Sequence, residues 1–355
     1  MGCASMNRYW NALKRVSDGD NPLNFRIAAP WKDVPTERPA SGRLIRMIAR
    51  YAWYPTRVSL FRGMDIVHVL DHSFAGLLRW TDPRAVSFVT VHDLVPLETD
   101  EGLTFSQVAR FRRQCGYLRK ADWILCDSDH TRHVLSRQLN IAGDHVVTVP
   151  LGTDLSGEGL RGASSAAVSS GKQGDPCLLV VGGVSPRKNL ETLPHLVRGI
   201  RAGGMAVTVV KVGHPLPTDL ARRIRKAGGS ASSLKEVGMV DDVQLSELYR
   251  NVAFTFFPST YEGFGLPVLE AMAQGCPVIC SNATSIPEVG GDAVLYFAPD
   301  DVASAVLHAV TLLKSPELRE DLRKRGRCRA RTLSWKAHWE KLSALYSRGL
   351  EMQGR

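Results

Sequence analysis

Two carboxylates eight positions apart, Glu262 and Glu270, stand in the run Pro258-Ser259-Thr260-Tyr261-Glu262-Gly263-Phe264-Gly265-Leu266-Pro267-Val268-Leu269-Glu270. The aromatic, β-branched residues before this run read as a strand. Pro267 suits the first turn of a helix, where its missing N–H would have no partner in any case. Amides of Gly263, Phe264, Gly265 and Leu266 at such a helix start form an anion site, and the glycines let a phosphate come close to the backbone. Carboxylates touching that phosphate would repel it. Glu262 and Glu270 are therefore expected to accept hydrogen bonds from hydroxyls of an attached sugar or ribose, and the pattern points to a nucleotide-sugar.

A second run, Val181-Gly182-Gly183-Val184-Ser185-Pro186-Arg187-Lys188-Asn189, reads again as strand, tight turn and Pro-started helix. Cations are disfavoured at a helix N-terminus unless an anion is present. Arg187 and Lys188 are thus expected to neutralise a diphosphate leaving group beside Gly182 and Gly183, in place of a metal. These glycines do not fit G-x-G-x-x-G, and no G-x-x-x-x-G-K-[ST] occurs, which argues against dinucleotide dehydrogenases and P-loop nucleotidases.

Elsewhere the chemistry is sparser. His92, in Thr90-Val91-His92-Asp93-Leu94, follows a strand and is a candidate site residue, to be weighed against an ordinary hydrogen-bonded strand-end histidine. Only position recommends His72, which is read as such a structural histidine. Asp127-Ser128-Asp129 imitates a metal-binding Asp-x-Asp but precedes a helix, where capping aspartates are expected. The seven cysteines include no C-x-x-C pair, and the nearest two, Cys276 and Cys280, have no histidine beside them. They read as reduced, buried thiols, and no metal site is expected.

The elements that must position these residues are legible as alternating β-branched runs and helical patterns, the signature of parallel α/β domains. Strands are predicted near Ile66–Leu70, Val86–Val91, Trp123–Cys126, Val146–Val149, Leu178–Val181, Ala206–Val212, Ala253–Phe257, Pro277–Cys280 and Val294–Phe297. Helices are predicted near Arg43–Trp53, Phe105–Lys120 and Asp129–Leu139, with caps at Ser185, Asp241–Asp242 and Asp300–Asp301. The Gly/Ser/Ala-rich stretch from Ser156 to Gly174 reads as a flexible linker. The expected organisation is a domain over 1–155, a linker over 156–175, a second domain over 176–333, and a helical tail over 334–355 that crosses back to the first domain and favours closure.

The length of 355 residues suits two domains. With 44% hydrophobic and 23% charged residues, the composition is that of a globular chain, neither disordered nor disulfide-stapled. No apolar run is long enough for a membrane-spanning helix, and the N-terminus lacks a secretory signal. The net charge of +10 favours an anionic partner, and residues 1–120 carry 18 basic against 11 acidic side chains. Two amphipathic basic stretches contribute, one with Arg43, Arg46 and Arg50, the other with Arg110, Arg112, Arg113, Arg119 and Lys120. They read as core-facing helices with solvated faces, or alternatively as docking sites for anionic lipid or a pyrophosphate-linked acceptor. Nucleic acid is not expected, because the basic clusters lie away from the best-defined motif.

Residues 178–298 resemble the donor-binding domain of the family-4 retaining glycosyltransferases of GT-B fold, whose Glu-x7-Glu motif is matched by Glu262 and Glu270. Gly238-Met239-Val240 followed by Leu245, Leu248 and Tyr249 resembles the family segment that meets the nucleobase. Ser285-Ile286-Pro287-Glu288-Val289, Pro150-Leu151-Gly152-Thr153-Asp154 and Thr90-Val91-His92-Asp93-Leu94 are similar to further family segments. The resemblance implies two Rossmann-like, doubly wound parallel-sheet domains facing a central cleft. It also implies that Arg187 and Lys188 hold the diphosphate, Glu262 meets the donor sugar, Glu270 the ribose, and His92 orients groups at the reacting carbon without acting as a base.

Two departures from the family pattern stand out. Many members carry Arg where this chain has Gly183, and members begin with a strand before a helix like Asn7–Val16, whereas no apolar strand precedes Met1. The expectation is one of two: either the chain begins further upstream than Met1, or the first domain lacks its first strand.

The reading is a metal-independent, retaining hexosyltransferase of bacterial polysaccharide or glycoconjugate assembly. It would use a nucleoside-diphosphate sugar such as GDP-mannose or UDP-glucose, a saccharide or lipid-linked acceptor, and no separate cofactor. It is placed in the cytoplasm, with docking on the inner face of the cell membrane as a further expectation. The alternatives are a non-catalytic sugar-nucleotide-binding protein degenerate on its acceptor side, or a phosphorylase-like or hydrolytic enzyme of the same fold, which would need a pyridoxal lysine or a close catalytic carboxylate pair.

Overall fold

The structure, a computed structural model, describes residues 4–17, 53–60, 62–99, 101–153 and 175–354. The linker stretch from Ser156 to Gly174 and most of the predicted Arg43–Trp53 helix lie outside these residues. The chain divides into two compact units: Met1–Leu97, Leu103–Val149 and Trp339–Arg355 form the first, and Glu98–Gly102 with Pro150–His338 form the second.

Among its described residues the first unit carries four parallel strands, β1 (Ile66–Val69), β2 (Val86–Val91), β3 (Trp123–Cys126) and β4 (Val146–Thr148), in that spatial order. Every residue of β2 and β3 is buried. This is why both read as continuous apolar runs: strands covered on both faces do not alternate. The helix Phe105–Cys115 starts at a capping box formed by Thr104 and Gln107. It ends earlier than the sequence suggests, tightening into a 3-10 segment over Gly116–Lys120 that carries Leu118 into the core. The helix Asp129–Leu139 is capped by Ser128 and closed by Asn140 at φ +50°. The cap is thus the serine of Asp127-Ser128-Asp129; the carboxylate of Asp127 has a different partner, described below.

The second unit holds six parallel strands: β5 (Cys177–Val181), β6 (Thr208–Val212), β7 (Leu234–Gly238), β8 (Phe254–Phe257), β9 (Val278–Ser281) and β10 (Leu295–Phe297). Their spatial order is β10-β9-β8-β5-β6-β7. The strand β7 is an addition to the sequence reading. Its residues Leu-Lys-Glu-Val-Gly carry two exposed charges because it is an edge strand, and edge charges hide the apolar signal while blocking further pairing. Helices cover the sheet with apolar stripes: Leu193, Leu196, Val197 and Ile200 recur at helical spacing, are buried, and each contribute about 2 kcal/mol by leaving water.

The segment Pro150–Gly152 packs against the chain at Ser334–His338 within this unit. Thr153 pairs with Ser334, and His338 Nδ1 is 2.8 Å from the Pro150 carbonyl. A Cβ on Gly152 would lie 2.2 Å from the Trp335 nitrogen, so only glycine permits this approach.

Among the described residues Cys115, Cys126, Cys177, Cys276 and Cys280 are buried and form no disulfide, but Cys328 is exposed on the helix Pro316–Thr332, contrary to the expectation that the thiols are interior. Among the described residues no helix is long and apolar enough to cross a membrane, and no three His, Cys, Asp or Glu side chains gather as metal ligands.

Candidate functional site

In the second unit the strand order reverses between β5 and β8, and ligands of open parallel sheets bind beyond the carboxyl ends of strands at such a reversal. The two sequence motifs are the loops leaving these two strands. After β5 the chain turns at Gly182 (φ +123°) and runs through Ser185 into a single 3-10 turn, Pro186–Lys188, closed by Asn189 at φ +51°. This corrects the expectation of a Pro-started, Ser185-capped helix here. The α-helix begins only at Leu193, and Ser185 makes no side-chain cap. Arg187 and Lys188 are therefore presented by a short turn, not by a helix N-terminus.

That turn is fastened to the loop after β8. The Arg187 carbonyl accepts from Thr260 N at 2.7 Å, and Arg187 Nη1 donates to the Tyr261 carbonyl at 3.1 Å. Glu262 joins both cations: Lys188 Nζ is 2.5 Å from Oε1 and Arg187 Nη1 is 3.2 Å from Oε2. Its carboxylate is 10% accessible, and a charge so buried requires such partners. Around it, Thr284 Oγ1 receives the Glu262 amide, and Ser285 donates to its carbonyl at 2.9 Å. The ammonium of Lys188 also lies 5.1 Å from the centre of the Phe257 ring.

Glu101, from the Glu98–Gly102 segment, completes the cluster, with Oε1 3.2 Å from Arg187 Nε. Nothing in the local sequence marks this glutamate. Two cations and two carboxylates thus balance where the sequence reading placed a bare cationic pair.

Gly263, Phe264, Gly265 and Leu266 carry the chain from Glu262 into the helix Leu266–Ala273, with Gly265 left-handed at φ +106° in the N-cap position. Glu270 lies one turn inside that helix, 5% accessible, and accepts from the Tyr249 hydroxyl at 3.2 Å. Tyr249, fully buried in the helix Asp242–Asn251, is named in the sequence only as part of the segment resembling the family's nucleobase-side stretch; its hydroxyl contact with Glu270 has no local sequence signal. Val240 follows β7, partly buried, next to the exposed Met239.

In the first unit His92 follows β2. Its Nδ1 lies 2.7 Å from Asp127 Oδ2 and its Nε2 2.8 Å from the Leu70 carbonyl. Both acceptors require a donating nitrogen, so the ring carries two protons. Burial, the largest influence, opposes that charge. The charge and hydrogen bond of Asp127, with Asp71 and the Leu70 carbonyl, outweigh it and raise the pKa to about 9. A ring without a lone pair cannot take a proton from an acceptor; it can hold position and charge. The edge of Tyr9 packs against it at 5.3 Å. His72 is 7% accessible, its pKa lowered by burial; its Nδ1 lies 3.7 Å from Asp71 Oδ1, beyond hydrogen-bond reach, and its ring packs edge to face with Phe111.

The basic face of the helix Phe105–Cys115 is partly structural. Arg112 donates to the Gln138 carbonyl and side chain, and Arg119 to the carbonyls of Leu139 and Asn140, tying off the end of a neighbouring helix. Arg43, Arg46 and Arg50 lie outside the described residues.

Comparison with known proteins gives two family matches: "Glycosyl transferases group 1" over residues 165–329 and "Glycosyltransferase Family 4" over 16–156. The chain is 32% identical over 228 residues to the O-antigen chain mannosyltransferase B of Escherichia coli, covering 61% of this chain and 58% of that protein. It thus spans little more than half the length of that relative. A GDP-mannose:cellobiosyl-diphosphopolyprenol alpha-mannosyltransferase of Komagataeibacter xylinus is 25% identical over 90% of this chain and 81% of its own length. The sucrose-phosphate synthase of Thermosynechococcus elongatus shares the fold with a TM-score of 0.70 at 22% identity, over 96% of this chain and 91% of that one.

Proposed function

Because the chain belongs to the family-4 glycosyltransferases of GT-B fold, we propose that it moves a hexosyl group, of mannose or glucose type, from a nucleoside-diphosphate sugar to an acceptor hydroxyl. The observation that carries this is the convergence of Arg187, Lys188 and Glu262 beyond β5 and β8, where the strand order reverses. In this reading the diphosphate takes Arg187 and Lys188 as counterions, releasing Glu262 toward the sugar hydroxyls. Glu270, held by Tyr249, accepts from the ribose. As the bond from the anomeric carbon to the phosphate oxygen breaks, negative charge grows on that oxygen, and the two cations stabilise it without a metal.

Retention follows if the acceptor oxygen bonds to the anomeric carbon from the face the phosphate leaves. The departing phosphate oxygen then takes the acceptor proton, so no protein base is needed. A doubly protonated His92 fits a role in orientation and charge. The names of the two relatives support a mannosyl donor and a saccharide or polyprenyl-diphosphate acceptor in bacterial polysaccharide assembly. Exposed Phe105, Arg110 and Arg113 support contact with an anionic membrane surface, which co-sedimentation with anionic vesicles tests directly.

The deciding experiment offers GDP-mannose, UDP-glucose and related donors with saccharide and polyprenyl-linked acceptors and identifies products by mass spectrometry, with the anomeric configuration assigned by NMR. A glycosylated product of retained configuration is expected. Donor binding without any transfer would favour a non-catalytic sugar-nucleotide-binding protein, and no binding would reject the reading.

A further inference from the structure

A buried lysine lies among the strand ends of the same site. Lys211, in β6, is 1% accessible, and its ammonium donates to the carbonyls of Gly182 at 2.7 Å, Val212 at 2.9 Å and His214 at 3.1 Å. All three N–H groups are used, and each acceptor lies where the chain leaves β5 or β6. An ammonium removed from water is costly even when hydrogen-bonded, and an apolar side chain of the same length would fill a strand interior at less cost.

The geometry around it is that of a fixed cradle. Gly182 N donates to the Val212 carbonyl at 3.0 Å and Gly213 N to the Gly238 carbonyl at 2.8 Å, which locks the ends of β5, β6 and β7 together. A Cβ on Gly213 (φ +105°) would lie 2.4 Å from the Gly182 oxygen, so the backbones are in direct contact. The charged neighbours are few. Glu236 sits opposite Lys211 in β7, its carboxylate already engaged by Leu216 N at 2.8 Å and by Arg225 at 3.6 Å. Lys188, of like charge, comes from the turn after β5. His214 is exposed and contributes its carbonyl.

We propose that Lys211 is a positioning residue of the diphosphate site, holding the Gly182–Gly183 turn from the sheet side and adding a third positive charge to those of Arg187 and Lys188. The inference rests on the donor reading above and deepens it. It gives the buried ammonium a reason: three carbonyl dipoles at the ends of β5 and β6 would otherwise repel the incoming phosphates, and Lys211 neutralises them. Burial brings the ammonium down to about 8, opposed by Glu236 and reinforced by Lys188. Near that pH part of the population holds a neutral lysine, and an arriving diphosphate draws the proton back.

The test is calorimetry of the full chain with GDP and UDP at pH 8, in two buffers of different ionisation enthalpy. Wild type should take up as much as about half a proton per diphosphate bound, and none with guanosine or uridine. Lys211→Met and Lys211→Gln should bind the nucleosides as wild type does, bind the diphosphates about tenfold more weakly or worse, and show no uptake. Wild-type binding without uptake, or folded variants that bind the diphosphates normally, overturns the proposal. Where neither variant folds, the wild-type uptake decides. Failure of wild type to bind GDP, UDP or any of their sugars is a different result: it removes the donor reading itself and this inference with it.

Discussion

The Lys188 ammonium lies 2.5 Å from Glu262 Oε1, so cation and carboxylate of the proposed donor site neutralise each other before any ligand arrives. Both side chains are nearly buried, at 13% and 10% accessible. Lys188→Met would leave Glu262 dependent on Arg187 alone. Nucleoside-diphosphate affinity and transfer should fall by about a hundredfold or more, and stability by about 2 kcal/mol for the stranded carboxylate. Glu262→Gln should be milder in denaturant titration, since the amide strands no anion, yet equally damaging to transfer. Near-normal turnover in both variants would exclude this cluster from the chemistry.

Glu101 holds Arg187 from the other side at 3.2 Å. If the diphosphate must displace it, Glu101→Gln frees the guanidinium and should tighten GDP or UDP binding several-fold, by about 1 kcal/mol as for a partly screened pair. Weaker binding in calorimetry would mean instead that Glu101 orients Arg187 productively.

Gly183 in the donor turn and Gly213 at the adjacent end of β6 answer differently to substitution. A Cβ on Gly183 meets no atom within 4 Å, so Gly183→Arg should fold normally, place another cation beside the turn and strengthen diphosphate binding. A Cβ on Gly213 collides with the Gly182 carbonyl at 2.4 Å, so Gly213→Ala should lower the melting temperature and abolish donor binding together. Thermal melts with and without nucleotide distinguish the two outcomes.

His92 makes stability depend on pH. Its folded pKa of about 9 lies above the unfolded value of about 6.5, so its contribution is complete below pH 6.5 and disappears as pH rises through 9. The full effect is on the order of 3 kcal/mol. Denaturant titrations of wild type and His92→Gln should differ most near pH 6 and converge toward pH 10. Lys211, whose folded pKa is lowered, slopes the other way but cancels in the difference. A gap between the two proteins that stays constant with pH would show a neutral imidazole.

Much of the site was legible because its signals are local. Strand, glycine turn and proline lie within a few residues of each other in Val181–Asn189 and Pro258–Glu270, and local backbone preference suffices to set Gly182, Gly265 and Pro267 in place. The reading erred where a competing local form was equally available: Ser185-Pro186 can open a helix or a single 3-10 turn, and the pull of Thr260 on the Arg187 carbonyl accompanies the turn. The strand β7 was missed because its edge position filled it with charge.

The sequence by itself determined two parallel α/β units, the loops that bear chemistry, and Arg187, Lys188, Glu262 and Glu270 as their charged residues. Tertiary structure alone decided what those charges meet. Lys211 reads as an ordinary strand lysine, Asp127 as a helix cap and Glu101 as a loop acid, until the fold brings them to the Gly182 carbonyl, His92 and Arg187. The reason is physical: backbone preference acts over neighbouring residues, whereas a buried charge is settled by whichever distant partner the packing delivers, and that partner leaves no trace in the residues beside it.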